Sequence, residues 1–175
     1  TRRSMPSAPS LPDSCLPDPA RFRALAADHR LVPVWRRLFA DGLTPLSAFA
    51  RIDAGRCGCL FESVVGGEKG GRYSFLGADP FLLLEARGTQ VTISGSGLAG
   101  GADETLESDD PFAELQRRMA PYRPAHLDEL PPFTSGVIGY AAYDAVRYVE
   151  DLPDAPADDR GLPDLSFAFY DRLVV

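Results

Sequence analysis

Two short groups of side chains carry the chemistry in this sequence: Glu62 and Ser63, then Arg72, Tyr73 and Ser74. A carboxylate, a guanidinium and hydroxyls set beside an apolar wall can hold a zwitterion such as an amino acid. Glu62 would meet the ammonium, and Arg72 or Ser63 the carboxylate, through charge-assisted hydrogen bonds. Such a set recognises a ligand and does not catalyse. The same residues admit a plainer reading. Glu62 and Arg72 can simply pair across a hairpin, which contributes ~0.2–1 kcal/mol on an exposed face, and Gly66, Gly67, Gly70 and Gly71 can serve turn geometry alone. A phosphate cradle is set aside, because GGEKGGRYS lacks the order in which a lysine precedes a hydroxyl residue at a helix start.

The elements that must position these groups are two β-rich runs, one ending at Glu62 and Ser63 and one from Arg72 to Leu76, joined by a glycine-rich connection and followed by a Gly-Ala-Asp-Pro turn. Upstream, residues 1–19 are rich in proline and serine and read as a disordered leader. Asp18-Pro19 and Thr44-Pro45 each pair a capping side chain with proline at the first helical position. They predict helices to about Asp28 and to Asp53 or Gly55. Between them Leu31–Arg36 alternates and reads as an edge strand because of Pro33, with Trp35 as a core or edge anchor. Cys57 and Cys59 share a strand face on this reading and pack as small hydrophobes.

Downstream, 81–87 and 89–95 read as a further pair of strands around a Gly88 turn, with Val91 and Ile93 inward. Four successive hairpin strands would make one antiparallel sheet. Residues 94–109 read as a surface loop, and Asp110-Pro111 caps a helix to about Ala120. That helix would bury Phe112, Leu115 and Met119 and turn Glu114, Gln116, Arg117 and Arg118 toward water. A proline-punctuated connector follows. Then comes a glycine-bearing strand in FTSGVIGY, where glycine implies a bulge or a closely approaching backbone. A helix is expected over Ala141–Tyr148, an acidic proline-rich loop after it, and a last strand in LSFAFYDRLVV. The fold class is α+β, antiparallel sheet or sheets with a few short helices packed on them.

At 175 residues, 45% hydrophobic and 25% charged, the chain has the composition of one globular domain. A net charge of −7 argues against nucleic acid or an anionic membrane as partner. No apolar run reaches the roughly 18 residues of a membrane span, and the chain reads as cytoplasmic. The three cysteines, Cys15, Cys57 and Cys59, form no metal or redox framework by spacing. His29 and His126 read as surface or loop residues.

The run LFES at 60–63 followed by GRYSFLGADP at 71–80 resembles the N-terminal portion of anthranilate synthase component I. The segments 31–49, 136–153 and 162–175 fall in the same order as that family's opening strand and helix, glycine-tyrosine segment and exit strand. The family usually has paired glycines where this chain has Ser135-Gly136.

The resemblance implies residues 20–175 of a larger enzyme, truncated before its chorismate-binding catalytic domain. That enzyme converts chorismate to anthranilate with loss of pyruvate, using Mg2+ and ammonia from a glutamine amidotransferase subunit or domain. The catalytic groups and metal ligands lie outside this stretch, which contributes to the feedback site for L-tryptophan. By motif match, Ser63 and Glu62 are the first inhibitor contacts and Arg72, Tyr73 and Ser74 the second. The corresponding part of aminodeoxychorismate synthase component I, or a stand-alone amino-acid-binding module, are the alternatives.

Overall fold

The computed structural model describes residues 15–53, 55, 57–62, 73–95, 103–154 and 156–175. Residues 1–14 of the expected leader lie outside this set. The described chain begins with Leu16 bridged to Trp35 by two backbone hydrogen bonds of 2.7 Å each.

Local chemistry places the helices where the caps predict them. The Asp18 carboxylate accepts from the amides of Ala20 and Arg21 and opens α1, Pro19–Asp28. Those amides hold the carboxyl of Asp18 below its usual range. Thr44 and Ser47 form a reciprocal capping box at the start of α2, Pro45–Ile52. Asp110 caps α3, Pro111–Met119, through the Ala113 amide.

The strands are β1 (Cys59–Glu62), β2 (Ser74–Gly77), β3 (Leu82–Arg87), β4 (Gln90–Ser94), β5 (Glu104–Glu107), β6 (Val137–Ala141), β7 (Leu165–Phe169) and β8 (Leu173–Val174). They form two antiparallel sheets. One is three-stranded in the order β1-β2-β8, the other five-stranded in the order β5-β4-β3-β7-β6. The fold is therefore α+β. The four hairpin strands expected to share one sheet divide instead. After Gly77 the chain turns through Asp79, at a positive φ of 52°, and enters the second sheet at Leu82. The expected last strand also divides: β7 ends at Phe169, and β8 pairs with β2 in the other sheet.

The core lies on one face of the larger sheet. Leu82, Leu84 and Ala86 of β3 point the same way by the period of two, as do Val91 and Ile93 of β4, both buried as expected. Leu115 of α3 and Ala145 of a 3-10 helix at Tyr143–Tyr148 close over them. The expected helix over Ala141–Tyr148 thus begins later, because Ala141 still pairs with Leu165. The β3–β4 turn carries Gly88 at a positive φ of 54°, a conformation open to glycine. Tyr148 reaches this turn, its hydroxyl within 2.9 Å of the Gly88 carbonyl and 2.7 Å of the Asp164 carboxylate.

Three further expectations change. Leu31–Arg36 forms isolated bridges, Leu31 to Pro124 and Trp35 to Leu16, and no ladder. Pro33 removes the donor a ladder would need at its centre. The expected loop at 94–109 contains β5, an edge strand whose Glu104 and Glu107 hid it from a hydrophobic pattern and suit an edge facing water.

Glu114, expected to face water, is buried, with its carboxylate held by Arg117 at 2.7 Å and Arg118 at 2.6 Å. Arg118 also reaches Glu104 of β5, at 2.5 Å. Burial pushes the Glu114 carboxyl up, but the two guanidiniums outweigh burial and hold it below its ordinary value. The stabilisation is therefore present above the unfolded carboxyl value of about 4.3 and is lost as pH falls through the lower folded value. Glu114→Gln is expected to cost ~1–3 kcal/mol at neutral pH by taking the carboxylate from Arg117 and leaving Arg118 with Glu104 alone. In urea titrations the gap from wild type should close in acid; a gap independent of pH would show that the ion pairs contribute nothing.

Candidate functional site

The hairpin that carries the candidate residues forms as expected, with Cys59 opposite Gly77, Leu60 opposite Leu76, Phe61 opposite Phe75 and Glu62 opposite Ser74. Apolar β-formers at these positions favour the ladder, and α2 packs against it, the ring of Phe49 lying beneath Gly58. Ser63, Arg72 and the glycine connection between them lie outside the described residues.

The pleat sorts the other three candidates. Glu62 and Ser74 are a directly opposed pair, so their side chains share a face with Leu60 and the buried Leu76. Tyr73 falls on the opposite face, its ring 6.1 Å from that of Phe75, which in turn meets Phe133 edge-on at 5.8 Å. Glu62 is exposed and makes no ion pair with any described residue. Among the described residues the hairpin thus offers one unpaired carboxylate beside a hydroxyl, and an aromatic row on the reverse face. That arrangement can accept an ammonium group; it contains no base–nucleophile pair.

A second feature was not legible in the sequence. A cavity of about 370 Å³ opens among Trp35, Phe81, Tyr122, Phe133 and Tyr170, with Asp171 at its margin. Its walls come from the bridged segment around residues 31–35, the proline-rich connector and the β7–β8 link. Phe81, Tyr122 and Phe169 pack mutually at 5.6–6.1 Å. These pieces are far apart in the chain and irregular, so no periodicity marks them. No residue of β1 or β2 lines the cavity.

Cys57, expected to share a strand face with Cys59, is exposed and stands outside β1 at a positive φ of 48°. Among the described residues no group of three or more His, Cys, Asp or Glu side chains is placed to hold a metal ion. Nor is any described helix long and apolar enough to cross a membrane.

No family model matches the chain. It is 37% identical over 153 residues to anthranilate synthase component 1 of Acetivibrio thermocellus, a match covering 87% of this chain and 30% of that protein. It is 40% identical over 167 residues to the chloroplastic anthranilate synthase alpha subunit 2 of Arabidopsis thaliana, covering 89% of this chain and 27% of that one. The chain is homologous to the N-terminal part of anthranilate synthase component 1. A crystal structure of anthranilate synthase component I from Streptococcus pneumoniae matches with 25% identity and a TM-score of 0.47, over 79% of this chain and 28% of that one. The chain thus spans less than a third of the anthranilate synthase component 1 relatives it matches.

Proposed function

We propose that this chain is the effector-binding N-terminal part of an anthranilate synthase component I, acting in tryptophan biosynthesis. The observation that carries the reading is 37–40% identity to an anthranilate synthase component 1 and an anthranilate synthase alpha subunit across 87–89% of the chain. The whole enzyme would be a lyase that converts chorismate and glutamine-derived ammonia to anthranilate and pyruvate. Its catalytic domain and magnesium ligands would lie beyond these residues, so this stretch alone would be inactive, and the whole enzyme would associate with a glutamine amidotransferase subunit or domain.

In this reading the hairpin takes L-tryptophan. The ammonium sits against Glu62 and Ser74, the carboxylate against Arg72 and Ser63, and Tyr73 supports the site from the reverse face. The exposed carboxylate of Glu62, which forms no ion pair with a described residue and stands opposite Ser74, supports this assignment, because an ammonium is drawn to an exposed anion through charge-assisted hydrogen bonds. Effector and substrate then oppose each other equally at equilibrium, as linkage requires.

Calorimetric titration of L-tryptophan into the full-length parent protein, with its Ser63→Phe variant, tests the reading. The variant is expected to weaken binding at least about tenfold, the equivalent of ~1.4 kcal/mol, while uninhibited turnover stays within about twofold of wild type. Equal tryptophan affinity in the two proteins would remove Ser63, and with it the hairpin, from the effector site. Wild-type parent that turns over chorismate without binding tryptophan would leave the family in place and end the regulatory role.

A further inference from the structure

Cys57 and Cys59 flank Gly58 at the entrance to β1, and the Tyr170 hydroxyl meets both residues. The Tyr170 hydroxyl donates to the Cys57 carbonyl oxygen. The same hydroxyl interacts with the Cys59 thiol. Beneath both lies Gly77, where an added Cβ would come within 2.9 Å of the Cys59 Sγ and 3.1 Å of the Tyr170 ring. Gly58, between the cysteines, is pressed by α2: a Cβ there would meet Phe49 Cζ at 2.7 Å and Asp53 Oδ1 at 3.0 Å. The link between the two thiols is thus confined by a helix on one side and by β2 and the end of β7 on the other.

Chain geometry permits the two sulfurs to join. Residues two apart have Cα atoms separated by no more than about 7 Å, and a disulfide spans roughly 4.4–6.8 Å. Cys57 stands outside the ladder and is exposed, so its side chain can turn toward its neighbour without breaking a strand pair. Cys59 is half-buried, and burial pushes its thiol above the ordinary value. The two thiols therefore differ in role: an oxidant reaches Cys57 first, and Cys59 resolves the product.

We propose that Cys57-Gly58-Cys59 is a redox-active dithiol site that closes to an intrachain disulfide when it meets a small-molecule disulfide such as glutathione disulfide. The Cys57 thiolate attacks one sulfur of the oxidant, forming a mixed disulfide and releasing one glutathione thiolate. Cys59 then loses its proton and attacks the Cys57 sulfur, and the second glutathione leaves. The protein gives up two electrons and two protons, which end on two molecules of glutathione thiol. Closure takes the Cys59 thiol from Tyr170, the residue at which the chain leaves β7 for the other sheet, so oxidation alters a contact between the two sheets. The chemistry stands whether or not the far end of this hairpin binds tryptophan.

The test uses the chain carrying Cys15→Ser, which removes the third cysteine, treated with glutathione disulfide and followed by thiol titration and intact mass. Both remaining thiols should disappear with a mass loss of two hydrogen atoms, and dithiothreitol should restore them. Adding Cys59→Ser should instead trap one glutathione on Cys57. Adding Cys57→Ser should slow the reaction at least about tenfold, because only the half-buried thiol remains. Persistent glutathione on both cysteines, a cross-linked dimer or unreacted thiols would each overturn the proposal.

Discussion

Replacing Gly139 by alanine should be among the most damaging single substitutions in the described fold. Gly139 lies in β6 opposite Phe167, and a Cβ there would fall 2.0 Å from the Ser166 carbonyl oxygen and 2.7 Å from the Phe167 Cα. Those neighbours are backbone atoms of β7, itself paired on its far side with β3, so they cannot yield without dismantling two ladders. Accommodating the methyl group means parting β6 from β7, and the cost is expected to be at least ~3 kcal/mol. Against a total stability on the order of 5–15 kcal/mol, that shift is large. Gly42→Ala is the control, since its Cβ would meet nothing within 4 Å. Urea unfolding should place the two variants far apart. Coincident midpoints would mean that β6 does not approach β7 as closely as described.

Truncation of Leu84 should rival it by the opposite route. Leu84 is fully buried at the middle of β3, between Ile93 of β4 and Phe167 of β7. Alanine there removes the buried branch and leaves a hole that the flanking strands cannot fill, at an expected ~2.7–5 kcal/mol. Leu83, one residue earlier, points to the other face and is half-buried, so Leu83→Ala should cost clearly less. The difference between these neighbours measures how one-sided the core of the larger sheet is. Equal losses in thermal or urea unfolding would indicate a second core of similar weight behind the sheet.

The candidate site was legible as residue types and as a hairpin, because alternating apolar residues around a glycine connection leave few other local solutions. What the sequence did not convey was the division of the candidates between faces. Glu62 and Ser74 sit together because the ladder opposes residue 62 to residue 74. A register shifted by one residue would have sent the same side chains to opposite faces. The aromatic cavity around Trp35 and Phe133 was hidden because its walls meet only after the chain has folded back on itself.

Helix starts were determined by the sequence alone, at Asp18, Thr44 and Asp110, since a cap is a bond between a side chain and an amide a few residues away. Strand positions in β3 and β4 were determined the same way, by two β-forming runs around the Gly88 turn, and along both the structure alternates buried with half-buried side chains. Tertiary structure alone decided the rest. The Gly77–Pro80 turn was legible as a turn, but no local signal marked it, or the break at Tyr170, as the place where the chain passes from one sheet to the other. Tertiary structure also turned Glu114 inward, because Arg118 could hold Glu114 and the distant Glu104 at once. A strand's ladder partner and a carboxylate's counter-ion lie across the fold, and pattern along the chain carries no information about distance through space.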